Sequence, residues 1–152
     1  MFRSLTIVQA GSALLAVATL AAGATDEPPP PAPALAGPLP PSAPSSPPLS
    51  PAQDQALVSG NTISGIAENG EPYFAFFSPS GTIHFRHGSF DDNGTWHTST
   101  DGRLCTLYRR VGGGAEHCYA FYQVGPQVVF YDPTGQSAAG AFTVLSGNPE
   151  DL

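Results

Sequence analysis

The sequence predicts an all-β domain, a small antiparallel meander of about eight strands that closes most simply into a β-barrel, behind a disordered N-terminal lead. Beyond Gln55 apolar residues recur with a period of two in short segments. Each segment ends in a cluster of Gly, Asn, Asp or Pro at hairpin spacing. No stretch of useful length keeps a 3.6-residue period, apart from a turn of helix near Ala52 to Leu57.

Taken in chain order, residues 1–24 read as a signal peptide. Arg3 gives a positive start, Leu5 to Leu20 an apolar stretch, and Ala22-Gly23-Ala24 the small-x-small pattern of a cleavage site. Gln9, Gly11 and Ser12 make the stretch too polar for a good membrane anchor. No cysteine lies near the cleavage site, so the lipobox of a bacterial lipoprotein is missing. The expected destination is the periplasm or the extracellular medium, with no stable membrane insertion after cleavage.

Residues 25–54 read as a proline-rich disordered tether. Of the 17 prolines in 152 residues, most lie between Pro28 and Pro51. Proline has no amide donor and a fixed φ, so this segment is expected to be extended and polyproline-like. A spacer, or a ligand for a proline-binding groove, is the functional reading; an inert lead is the simpler one.

Residues 55–152 are long enough to bury one modest core. The expected strands are Thr62–Ala67, Pro72–Ser78, Thr82–His87, Gly94–Ser99, Arg103–Arg109, Glu116–Gln123, Gln127–Asp132 and Ala139–Ser146. Between them stand turn sequences such as Glu68-Asn69-Gly70-Glu71, Asp91-Asp92-Asn93-Gly94 and Asp132-Pro133-Thr134-Gly135. Closure removes the sheet edges, and the interior, lined by Ile63, Phe85, Trp96, Leu104, Phe130 and Phe142 or their strand neighbours, is expected to be filled by side chains. An open sheet or sandwich is the alternative. The segment Tyr73-Phe74-Ala75-Phe76-Phe77 is apolar on both faces, so its outward rings need cover from a partner, the tether or a second copy.

Cys105 and Cys118 are the two cysteines. Export makes a disulfide the default. A hairpin through Gly112-Gly113-Gly114 that pairs 105 with 118 also sets Leu104 opposite Tyr119 and Leu107 opposite Glu116. No Cys-x-x-Cys motif accompanies either thiol, which argues against a redox-active pair.

No residue pattern points to catalysis. The histidines are His84, His87, His97 and His117; on a strand His84 and His87 face opposite sides, and no zinc spacing is present. A site of His97, His117 and a carboxylate is conceivable. No Gly-x-Ser-x-Gly elbow occurs. Asp91-Asp92 lacks the spaced oxygens of a calcium loop and reads as a turn. Twelve acidic residues against five arginines, of which only Arg109 and Arg110 are neighbours, exclude nucleic acid and disfavour anionic membranes. No catalytic residue, metal or cofactor is expected.

Gly60-Asn61-Thr62, Gly94-Thr95-Trp96, Asp101-Gly102-Arg103-Leu104-Cys105, Cys118-Tyr119 and the closing Gly147-Asn148-Pro149 resemble a family of small exported proteobacterial β-domain proteins. The resemblance spans roughly Leu57 to Leu152 and brings no assigned catalytic residues. At fold level the chain is also similar to the small eight-stranded barrels of bacterial envelope inhibitors. The leading expectation is an exported, non-enzymatic binding module of the cell envelope or medium, an inhibitor or protein-interaction domain among its forms. The alternative is a small-ligand or metal carrier that uses the barrel mouth and the histidines. The partner is then an envelope or extracellular protein, or a small ligand, of unknown identity.

Overall fold

The computed structural model describes residues 43–136 and 138–152. The signal peptide, and the lead up to residue 42, lie outside the described residues. Eight antiparallel strands, β1 (Asn61–Ile66), β2 (Pro72–Phe77), β3 (Thr82–His87), β4 (Phe90–Thr98), β5 (Leu104–Tyr108), β6 (Glu116–Val124), β7 (Gln127–Tyr131) and β8 (Ala138–Leu145), form a closed barrel in sequence order. The barrel shuts where Thr62 of β1 pairs with Leu145 of β8 and Gly65 with Phe142. Closure leaves no unpaired sheet edge around the ring.

The hairpins follow local turn chemistry. In the β1–β2 turn the Ala67 N–H donates to the Glu71 carbonyl and the Gly70 N–H to that of Ala67. The same pair of bonds recurs at Ser78, Gly81 and Thr82, and at Ser99, Gly102 and Arg103. Among the turns, one expectation fails. Asp91-Asp92-Asn93-Gly94 is not a turn but part of β4, and the β3–β4 turn is Gly88-Ser89 between the paired His87 and Phe90. Gly88, with φ 57°, supplies the positive φ that the first residue of a tight two-residue hairpin needs. Gly94 serves a different purpose: a Cβ there would lie 2.8 Å from the Leu107 carbonyl carbon and closer still to its oxygen. β5 therefore crosses where any side chain on residue 94 would stand.

One end of the barrel is closed by helix α1 (Pro51–Val58). Its N-terminus is a capping box in which Ser50 Oγ accepts the Gln53 N–H and Gln53 Oε1 accepts the Ser50 N–H, with proline at the first helical position. At the other end of the helix, Asn61 Nδ2 donates to the Leu57 carbonyl, and fully buried Val58 enters the core. Residues 43–54 were assigned to the tether from sequence. In the structure Ala43 N–H donates to Gly135, Leu49 N–H to the Phe121 carbonyl, and 51–54 are helical, so the tied domain begins at least as early as Ala43.

Ile63, Trp96, Leu104 and Phe142 are buried in the core with Val58, Phe77, Ile83 and Phe121, and Phe85 and Phe130 pack against them. All six expected interior residues therefore point inward. Phe77 and Trp96 meet edge to face at 5.6 Å, and the Trp96 Nε1–H donates to the Ser78 carbonyl. The outward rings Phe74 and Phe76 are half-buried. After β8 the chain turns back across this side of the sheet: Thr62 Oγ1 donates to the Gly147 carbonyl, and Arg86 donates to that of Glu150. Thr62 pairs with Phe76 and Arg86 with Phe74, so the C-terminal segment spans the outer face of β2.

Candidate functional site: an aromatic cavity open at one end

The barrel interior is filled at the α1 end and hollow at the other. The cavity holds about 460 Å³ and is lined by residues of several strands and by the β1–β2 and β5–β6 loops. Cavities of this size are typical of small-molecule sites. Its floor is the aromatic core, with Phe77, Phe121 and Phe142. Its walls carry Tyr73, Phe85, Tyr108, Tyr119 and Phe130, and its mouth Ile66, Glu68, Val111, Gly112 and His117.

Strand alternation puts these rings inside. Inward positions recur at every second residue, as in Tyr73, Ala75 and Phe77 of β2. The rings brace one another: Tyr73 stacks on Phe85 at 5.8 Å, Phe85 meets Tyr108 edge-on at 5.7 Å, and Tyr119 meets Phe130 at 5.2 Å. Such contacts add about 0.5–1.5 kcal/mol each beyond area burial and hold the walls in one arrangement. Among the described residues no hydrogen bond reaches the hydroxyls of Tyr73, Tyr108 or Tyr119, and all three tyrosines line the cavity.

Burial pushes the Tyr73 hydroxyl up to about 12, and burial, together with the neighbouring tyrosines and Asp92, raises Tyr108 further. Burial also raises Tyr119. All three remain protonated at neutral pH, so each can both donate and accept a hydrogen bond.

The β5–β6 loop, with a 3-10 turn over Val111–Gly114, forms part of the mouth. Asp92 anchors it: one carboxylate oxygen accepts the N–H groups of Arg110 and Val111, and the other accepts that of Asn93. Burial alone would raise the Asp92 carboxyl, but these three backbone donors together with the Arg110 charge outweigh it and hold the group below its ordinary value. The His117 Nε2–H donates to the Gly112 carbonyl and fastens the loop from the other side. Below the loop, Cys105 and Cys118 face each other across β5 and β6 in a disulfide, Cα atoms 4.0 Å apart. The register is the expected one, with Leu104 opposite Tyr119 and Leu107 opposite Glu116.

The histidines do not converge. His117 lines the mouth, His87 Nε2 lies 3.3 Å from Glu71, His84 is exposed on the outer face, and His97 stands outside, 3.8 Å from Glu116. His97 and Glu116 also approach Cys105, but its sulfur is bound in the disulfide and offers no thiolate to a metal. The conceivable grouping of His97 with His117 is not formed, because adjacent residues Glu116 and His117 point to opposite faces.

The interior expected to be filled by side chains is instead hollow at the end opposite α1, where the sequence offers the barrel mouth only as an alternative ligand site. The signal for the hollow was present as two glycines on inward strand positions, Gly65 opposite Tyr73 and Gly140 opposite Phe130. Among the described residues no helix is long and apolar enough to cross a membrane. The chain matches no protein-family model and no curated protein.

Proposed function

We propose that the domain is an exported, non-enzymatic barrel that binds a small, largely apolar ligand in its open-ended cavity. The observation that carries this reading is the 460 Å³ hollow walled by aromatic rings, with three tyrosine hydroxyls that no hydrogen bond reaches among the described residues. An apolar cavity with a few polar groups suits an organic ligand that buries its body and makes one or two hydrogen bonds. The disulfide and the signal-like leader support an extracytoplasmic setting. Small-ligand binding ranks above protein binding because the outward, half-buried rings Phe74 and Phe76, which called for a partner, stand on the sheet face that the chain's own C-terminal segment crosses.

The test is titration of the purified domain with an uncharged aromatic probe, N-phenyl-1-naphthylamine, read by its fluorescence. Saturable 1:1 binding is expected, and Thr106→Phe, which fills the cavity, is expected to abolish it while far-UV circular dichroism stays unchanged. Absence of saturable binding to the parent protein, or undiminished binding to a folded Thr106→Phe variant, would overturn the reading.

A further inference from the structure

We infer that the ligand of this cavity carries a cationic nitrogen on a compact apolar body, seated against the tyrosine and phenylalanine faces with Glu68 at the mouth. This rests on the ligand-binding reading above and adds a sign of charge to it. The first observation is where the positive charge of the protein lies. The chain has no lysine. Arg86 is engaged by Asp91 and the Glu150 carbonyl, and Arg103 by Asp101 and the Pro133 carbonyl. Arg109 lines a separate outer groove. Arg110 covers the Phe90 ring at 4.4 Å, with Asp92 4.0 Å away and its donor on the Asp91 carbonyl. None of these four, the arginines among the described residues, lines the cavity, and among the described residues the one carboxylate that does is Glu68.

The second observation is the wall. The faces of aromatic rings carry negative potential, and Tyr73, Phe85 and Tyr108 form one contiguous cluster, Tyr119 and Phe130 another. A cation seated among such faces is attracted electrostatically, the more so once water is excluded. The hydroxyl oxygens of Tyr73, Tyr108 and Tyr119 can accept from ammonium N–H groups. A carboxylate entering the same space would lose its hydration with no arginine or lysine among the described lining residues to replace it. Over longer range, the formal charge of −7 draws cations toward the mouth and repels anions.

Three probes of nearly equal shape decide the sign of the ligand on the full chain at low ionic strength: phenethylammonium, 2-phenylethanol and 3-phenylpropionate, titrated by calorimetry. The amine is expected to bind about 3- to 30-fold more tightly than the alcohol, and the carboxylate most weakly. Glu68→Gln, at the exposed rim of the mouth, is expected to narrow the gap between amine and alcohol. Alcohol and carboxylate binding as tightly as the amine would overturn the charge assignment and leave the cavity reading standing. Failure of all three, together with N-phenyl-1-naphthylamine, would overturn both.

Discussion

The Tyr73 ring lies across the backbone of Gly65, its partner on the neighbouring strand: a Cβ on Gly65 would stand 2.5 Å from the Tyr73 Cζ. Phe130 lies over Gly140 in the same way, with 2.5 Å from its Cζ to the position of a Cβ. Two large rings thus fold flat onto the barrel wall instead of standing in its lumen. The missing side chains of two glycines leave part of the interior hollow.

Gly65→Ala and Gly140→Ala should therefore close the cavity more than they destabilise the fold. The obstructing atoms are the ends of side chains, which can swing into the open space. Stability should fall by about 1–2 kcal/mol, as for mild overpacking. Probe affinity should fall at least about tenfold, the equivalent of about 1.4 kcal/mol. Urea unfolding and probe titration on the same samples check this; unchanged affinity in either variant would contradict the proposed ring positions.

Gly94→Ala should behave differently. The atoms that a Cβ would meet are backbone atoms of Leu107 and Tyr108, which cannot move without separating β4 from β5. A loss of more than about 3 kcal/mol is expected, at the severe end for single substitutions. Urea unfolding beside Gly65→Ala is the direct comparison, and equal midpoints would refute the distinction.

Replacing both Cys105 and Cys118 by serine should cost about 3 kcal/mol, because the bond closes a loop of short sequence separation, 13 residues, in the unfolded chain. Denaturation of oxidised parent and variant measures it. A difference under about 1 kcal/mol would place the bond among those that contribute little.

Asp54 sets a pH dependence. The residue is fully buried in α1, neither carboxylate oxygen has a partner among the described residues, and burial pushes its carboxyl up to about 7. The unfolded value is near 3.9, so the folded state holds the proton more tightly between about pH 4 and 7. Stability from this group is greatest below about pH 4 and falls as pH rises through about 7. Asp54→Asn should exceed the parent in stability at pH 8, by an amount on the order of 1–3 kcal/mol, and the gap should shrink towards pH 5. The difference between the two proteins isolates Asp54 from Asp92, Asp101 and Asp132, whose depressed values act in the opposite sense. A gap independent of pH would contradict the assignment.

Much of the architecture was legible because strand alternation and hairpin chemistry are local. Thr82–His87 has the expected bounds, and the Cys105–Cys118 register follows from counting outward from the glycine-rich loop. The misreading of Asp91–Gly94 has a physical cause. Asn-Gly favours a turn in isolation, whereas here glycine is required because a neighbouring strand passes too close for a side chain. The sequence reading found the helical turn at Ala52–Leu57 but not its role, since plugging a barrel end depends on where β1, β4 and β5 stand.

By its own pattern, then, the amino-acid order determined that the domain is an all-β meander of consecutive hairpins and that its cysteines face each other, because each of these depends on residues close in the chain. Whether the barrel would be filled or hollow was decided only in three dimensions. That outcome depends on how inward rings from all round the barrel divide one volume, on Tyr73 and Phe130 finding bare backbone to lie against, and on α1 closing one end while Asp92 holds the loop beside the other.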